Sequence, residues 1–116
     1  MSSKTSTYSN FLPGYDETTY EPLQPFTHVD PGARALQQEL EGKDPLEFLA
    51  NAQVNQFTPI LGDEIFGLDL TTLDSNARDQ LALQAARRGF LVFRNQENFL
   101  AKDADWLKGW GSHFGR

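Results

Sequence analysis

The 116-residue sequence contains no cysteine and only two histidines. The absence of cysteine excludes disulfide bonds, thiolate metal sites, zinc fingers of the cysteine type and a thiol nucleophile, and it favours a reducing compartment. We therefore expect a cytoplasmic protein. Two histidines leave little material for catalysis by imidazole groups.

Long apolar runs and an excess of basic residues are also lacking. No segment approaches the ~20 apolar residues of a membrane helix, and residues 1–6 lack the apolar stretch of a secretory signal. Ten Lys and Arg against sixteen Asp and Glu give a formal net charge of −6. Because an acidic surface repels phosphate groups, we expect neither nucleic acid nor a membrane as partner.

The sequence does contain enough apolar residues for one small domain. Hydrophobic residues make up 39% and aromatic residues 12% of the chain, more than is typical of disordered proteins. Proline is concentrated in the first 45 residues. We therefore predict an N-terminal arm rich in proline and aromatic residues over residues 1–55, and a folded domain over residues 56–116.

Within the arm we predict two short helices and packing against a surface. Four aromatic side chains interrupt the proline pattern, namely Phe11, Tyr15, Tyr20 and Phe26. Since these side chains favour burial, the arm should lie across a domain surface. Helices are predicted over residues 33–40 and 46–52, the second capped by Asp44.

The domain combines strand and helix patterns, which predicts an α+β fold. Alternating apolar residues up to Leu70 indicate a strand, and residues 76–88 have helical spacing that ends at Gly89. The continuous apolar run from Phe90 to Phe93 is typical of a strand buried on both faces. A last amphipathic helix is predicted over residues 102–114.

One metal-like pattern is present, the H-x-D of His28 and Asp30, which His113 could complete to a set of two histidines and one carboxylate. An iron site holds such a motif on a rigid strand, whereas Pro31 and Gly32 follow it directly and indicate a turn. We therefore interpret Asp30 as the cap of the following helix. A small metalloprotein built on His28, Asp30 and His113 remains a minor alternative.

Other candidate sites have ordinary structural interpretations. Adjacent strand residues point to opposite faces, so Asp63 and Glu64 should not share a substrate and are interpreted as a turn and solvated edge. A nucleophile elbow and a glycine-rich phosphate loop are both absent. Two tryptophans at helical spacing, Trp106 and Trp110, indicate a helix face that lies in the core or in an interface. The arginines at 87 and 88 indicate cations at the C-terminal end of a helix.

Four stretches of the sequence carry a family resemblance. They are LGDEIFGLDL at 61–70, DQLAL at 79–83, RGFLVFRNQ at 88–96 and HFG at 113–115. In order and spacing they resemble the start of a taurine dioxygenase-like (TauD/TfdA) domain. The arm, at residues 8–14, 22–32 and 34–35, resembles the leader of fungal sulfonate dioxygenases of that family.

The resemblance implies a double-stranded β-helix (jelly-roll) dioxygenase, of which this chain holds only N-terminal strands and helices. The family binds Fe(II) and 2-oxoglutarate and hydroxylates the carbon next to a sulfonate, as in taurine catabolism, so that sulfite is lost. Its substrate, metal and 2-oxoglutarate residues lie downstream of the motif seen here at Phe114 and Gly115. The resemblance therefore places no catalytic, cofactor-binding or metal-binding residue on this chain.

We accordingly predict an N-terminal fragment of a sulfonate dioxygenase that is inactive by itself and binds no cofactor alone. Whether the chain is itself an enzyme stays open, and a small sulfonate is expected as a partner only in a full-length form. The alternative is a short non-catalytic binding module that pairs with a full-length relative or another protein.

Overall fold

The computed structural model describes Gly14 and residues 19–115. Their helices are α1 (Pro31–Leu40), α2 (Ser75–Arg88), α3 (Glu97–Leu100) and α4 (Ala104–Gly111), with 3-10 turns at Glu47–Leu49 and Leu70–Thr72. The strands are β1 (Gln53–Gln56), β2 (Asp63–Phe66) and β3 (Leu91–Phe93). The described residues thus form the predicted α+β fold, with one small sheet, and the jelly roll stays a prediction.

Helix α1 begins at the turn that follows the H-x-D pattern. The Asp30 carboxylate accepts a 2.9 Å hydrogen bond from the backbone N–H of Gly32, and Pro31 opens the helix. The predicted cap is therefore confirmed, although the helix starts earlier than expected. Residues 19–30 before it are mostly exposed, whereas α1, which belongs to the same predicted arm, packs against α2. Phe11 and Tyr15 lie outside the described residues.

The second predicted helix is replaced by a short turn. Asp44 does accept the backbone N–H of Leu46 at 3.0 Å, but only Glu47–Leu49 is helical, as a 3-10 turn. The chain then enters β1, a strand that the sequence analysis missed because Gln53–Gln56 is almost wholly polar. All four side chains are exposed and only Val54 is apolar, so the segment lacks the alternation of apolar and polar residues that would indicate a strand.

The sheet has the order β1-β2-β3, with β1 antiparallel and β3 parallel to β2. Ile65, at the centre, is fully buried and pairs with Val54 on one side and Phe93 on the other. The parallel connection from β2 to β3 runs through α2, which forms a β-α-β unit.

Helices α1 and α2 pack closely against each other. Gly32 faces Leu83, because a Cβ atom on Gly32 would lie in ordinary van der Waals contact with the Leu83 backbone, at 3.6 Å. Ala35 and Leu83 are buried between the helices. Gly89 ends α2 with φ +84°, a left-handed conformation that suits glycine, as the predicted C-cap requires.

Strand β3 and the C-terminal helices depart from prediction in exposure and extent. The three residues of β3 are only half-buried, so the strand is not buried on both faces. The predicted helix over residues 102–114 is the shorter α4, which the Asp103 carboxylate caps at the N–H of Trp106. In the described chain no helix is long and apolar enough to cross a membrane.

Candidate functional site

Three ionisable side chains from distant parts of the chain meet in the Asp79 junction, which we define as Arg34, Asp79 and His113. Arg34 of α1 grips the Asp79 carboxylate with two hydrogen bonds, Nε to Oδ2 at 3.0 Å and Nη2 to Oδ1 at 2.8 Å. The His113 Nε2 atom lies 2.7 Å from the same Oδ1. The Asp79 side chain is 4% exposed and that of His113 11%. The junction thus joins α1, α2 and the end of α4.

The electrostatics of the Asp79 junction favour a fixed ion pair. The hydrogen bond to Asp79 raises the pKa of the Arg34 guanidinium above its ordinary value, so this side chain stays charged. Both carboxylate oxygens of Asp79 accept from basic side chains. Because both oxygens are already engaged by protein partners, the arrangement stabilises the fold and offers a substrate no open carboxylate oxygen for acid-base chemistry.

A second buried carboxylate, Asp63, joins the sheet to α2. Arg88 Nε donates to Oδ1 at 2.8 Å and Gln84 Nε2 donates to Oδ2 at 3.2 Å. Arg88 also donates to the backbone carbonyls of Thr58, Pro59 and Gly62. The interpretation of Asp63 as a solvated edge is therefore wrong, because the side chain is 3% exposed.

Arg88 and its neighbours correct two further expectations. The Arg88 side chain is 13% exposed and spans the β1–β2 turn, so it is more than a cation at a helix end. Arg87 does stay at the surface, paired with Glu39 at 2.6 Å. Glu64 points away from Asp63 and pairs with Arg94, as expected for adjacent strand residues.

The structure does not assemble the metal set considered from the sequence. His28 lies in the exposed extended segment, Asp30 caps α1, and His113 is bonded to Asp79. Among the described residues no group of three or more His, Cys, Asp or Glu could hold a metal ion. These residues therefore do not fit the Fe(II) that the resemblance implies.

The described arginines also show no site for 2-oxoglutarate, whose carboxylates would suit a guanidinium partner. Within residues 19–115 each guanidinium already has a protein partner. The pairs are Arg34 with Asp79, Arg78 with the Leu73 carbonyl, Arg87 with Glu39, Arg88 with Asp63 and Arg94 with Glu64. The described residues thus show no guanidinium without a protein partner that would mark a site for this cofactor.

The aromatic residues of the last two helices form a separate cluster. Phe99 contacts Trp106 and Trp110 edge to face, with ring centroids 5.8 and 5.2 Å apart. Trp110 also packs against Phe114 and lies under the Arg78 guanidinium. The Trp110 Nε1 atom is buried and has no hydrogen-bond partner among the described residues. The two tryptophans therefore lie in an interface between elements, as predicted.

The Asp79 junction was not predicted from the sequence. Asp79 is four residues before the buried Leu83, so it occupies the inner face of α2. A charged residue on that face was the available signal, because a buried carboxylate requires a partner. The sequence gives no way to identify Arg34 and His113, which lie 45 and 34 residues away along the chain.

Three curated proteins are similar to almost the whole chain. An α-ketoglutarate-dependent sulfonate dioxygenase of Saccharomyces cerevisiae is 39% identical over 112 residues, which is 96% of this chain and 27% of that protein. The α-ketoglutarate-dependent dioxygenases cnsP and cnsM of Penicillium expansum are 43% and 38% identical, over 93% of this chain and 28% and 29% of those proteins.

The chain thus spans between a quarter and a third of the length of these relatives. No family model matches the chain, and no solved structure is significantly similar to it. The resemblance that the sequence motifs indicated is nonetheless confirmed by the three relatives. Over nearly its whole length, the chain is homologous to the N-terminal portion of TauD-like α-ketoglutarate-dependent dioxygenases.

Proposed function

We propose that this chain supplies the N-terminal part of an Fe(II)- and 2-oxoglutarate-dependent dioxygenase that oxidises a small sulfonate in the cytoplasm. The observation that carries the proposal is the 39% identity to a sulfonate dioxygenase over 96% of the chain. Bound in such an enzyme, iron and 2-oxoglutarate would activate oxygen for hydroxylation. The residues described here would serve as scaffold, because their most buried carboxylates, Asp63 and Asp79, are engaged by Arg88 and Arg34.

The same proposal assigns no turnover to the 116 residues alone. Their described carboxylates and histidines do not form a metal-binding group, and their described arginines are paired. The metal and 2-oxoglutarate residues would come from the portion that the relatives have beyond the matched segment. Folding of that portion against β3 would complete the jelly roll.

A chimera tests this function. The matched segment of the yeast sulfonate dioxygenase is replaced by this chain, and succinate formation from 2-oxoglutarate is measured with Fe(II) and taurine. We expect sulfonate-dependent turnover by the chimera and none by the 116 residues alone. A folded chimera that does not turn over taurine would refute the proposal that this chain can serve as the N-terminal part of such an enzyme, and turnover by the chain alone would refute the scaffold role.

The runner-up function is a binding module that pairs with a relative through β3. The backbone groups of Phe90 and Arg94 bond to β2, so by alternation those of Leu91 and Phe93 point to the outer edge. Such an edge can accept a strand from another chain. Sedimentation of the chain with the intact yeast relative should then show a discrete complex, which Leu91→Pro abolishes. If only the separate species sediment, this second function fails.

A further inference from the structure

Helix α4 is attached to the domain through side chains. The three residues 101–103 lead from α3 into α4, and the backbone hydrogen bonds of this part of the described chain are all local, such as Leu107 to Asp103 and Phe114 to Gly111. No backbone bond in the described region joins α4 to α1, α2 or the sheet. The orientation of α4 therefore depends on the contacts of its side chains.

The contacts of α4 with α3 are aromatic. Phe99 lies between Trp106 and Trp110 at centroid distances of 5.8 and 5.2 Å. Edge-to-face contacts tolerate ring centroids from about 4.5 to 7 Å apart, so α4 could shift on α3 without losing them. Helix α3 is itself held by the bond from Asn98 to Asp69, so it provides a fixed surface on which α4 could turn.

The contacts of α4 with α2 come from two consecutive residues. The Arg78 guanidinium lies 5.9 Å from the centre of the Trp110 ring, near the outer limit for a cation–π contact. The next residue, Asp79, bonds His113 at 2.7 Å. This second contact is directional and almost closed to water, and water therefore competes with it poorly.

Asp79 is in turn held by Arg34 of α1. The two bonds from Arg34 to its carboxylate fix the plane of that group relative to α1. Oδ1 is shared between Arg34 and His113, so the direction in which His113 approaches is set by a carboxylate that cannot rotate freely. Asp79 thereby transmits the position of α1 to the end of α4.

We infer that Asp79 is a positioning residue that fixes the orientation of α4, and of the chain leaving it at Phe114 and Gly115, on the α1–α2 layer. Arg34 of α1 bonds the carboxylate, and His113, just after α4, bonds the same carboxylate. Without the carboxylate, α4 keeps its aromatic contacts with α3 but samples several orientations. The inference concerns the chain itself and stands independently of the proposed function.

Because the sequence has no cysteine, a pair of nitroxide labels can be placed without background. Gln37→Cys on α1 and Lys108→Cys on α4 are both at exposed positions. Pulsed electron paramagnetic resonance on the full chain should give one narrow distance. We expect Asp79→Ala and His113→Ala to broaden that distribution at least about twofold.

Conservative and control variants separate positioning from general loosening. His113→Gln should restore the narrow distance, because its amide can donate to Asp79 from a position near that of Nε2. Arg87→Gln, which removes only the exposed α1–α2 pair with Glu39, should leave it narrow. A second label pair, Gln37→Cys with Ala86→Cys, measures the distance between α1 and α2. Its distance distribution should stay narrow in His113→Ala.

The outcomes decide the inference even if Asp79→Ala does not fold, since His113→Ala removes the same contact from the less buried side. A narrow α1–α4 distance in His113→Ala overturns the inference. So does broadening of both label pairs in that variant, or a failure of His113→Gln to restore order. Broadening of the α1–α4 distance alone, reversed by His113→Gln, establishes it.

Discussion

The α1–α2 layer and strand β3 contain similar apolar residues but differ in how they are covered. Between the helices, Ala35 and Leu83 are buried and the rim is closed by Arg34 with Asp79 and by Arg87 with Glu39. In β3 the side chains remain half-buried although every one is apolar. An apolar segment therefore indicates a surface that favours burial. How far that surface is buried depends on which helices and strands of the chain pack against it.

The largest expected effect comes from Asp63, which joins the two regions. Asp63→Ala would leave the largely buried guanidinium of Arg88 without its ion-pair partner. Breaking a buried pair in this way should lower the free energy of unfolding by about 3–5 kcal/mol, measured by urea denaturation. The neighbouring Glu64→Ala serves as the matched control. It removes an exposed pair with Arg94 and should change stability by less than about 1 kcal/mol. Equal losses in the two variants would mean that Asp63 does not link sheet and helix.

A Leu→Ala substitution in the α1–α2 layer and another in β3 compare how much stability the burial of each leucine contributes. Leu83→Ala empties a buried position at the α1–α2 contact and should destabilise by about 2–4 kcal/mol. Leu91→Ala removes a half-buried side chain from β3 and should destabilise by about 1 kcal/mol. Urea denaturation compares them. If Leu91→Ala proves as costly as Leu83→Ala, β3 is covered in solution and the comparison no longer holds.

Gly62, directly before β2, tests how tightly the β1–β2 turn fits the aromatic ring beside it. The residue has φ +83°, and a Cβ atom there would clash with the Phe90 ring. Gly62→Ala should therefore destabilise by about 1–3 kcal/mol in thermal unfolding. Gly109→Ala is the opposite case, because a Cβ atom in α4 would meet nothing within 4 Å. That variant should gain about 0.5–1 kcal/mol, and a loss there would show that α4 is not helical in solution.

The smallest effect is a dependence of stability on pH at the edge of the sheet region. The hydrogen bond from Asn98, together with those from Thr71, lowers the pKa of the Asp69 carboxyl below its ordinary value. A lowered pKa means that Asp69 stabilises the fold above its unfolded pKa and loses this contribution as pH falls through the folded one. Asn98→Ala should therefore reduce the loss of melting temperature between about pH 5 and about pH 3. An unchanged pH profile would show that this bond contributes nothing.

Local patterns predicted much of the fold. The helical spacing and C-cap glycine of α2 and the cap at Asp30 were readable because each depends on residues close in sequence. Strand β1 was not readable, since its polar residues form a strand only by pairing with β2. The exposure of β3 was mispredicted for the related reason that apolar composition does not reveal which element covers a strand.

The candidate site was less predictable than the fold. The Asp79 junction joins three elements over separations of 34 and 45 residues, which no local pattern encodes. Conversely, His28 and Asp30 matched a metal motif in spacing, but the turn at Pro31 gives Asp30 a backbone partner instead. The family resemblance came from four short motifs and was confirmed by the relatives, although it assigned no catalytic residue to the chain.

The two edge strands of the sheet, β1 and β3, differ in polarity. On the β1 side the border consists of Gln53, Asn55 and Gln56 with Val54, all exposed, and a further strand there would face mostly amide groups. On the β3 side the border is Leu91, Val92 and Phe93, and a further strand there would continue an apolar layer. Because burial of apolar surface drives strand addition, we expect a further strand to add next to β3 rather than next to β1.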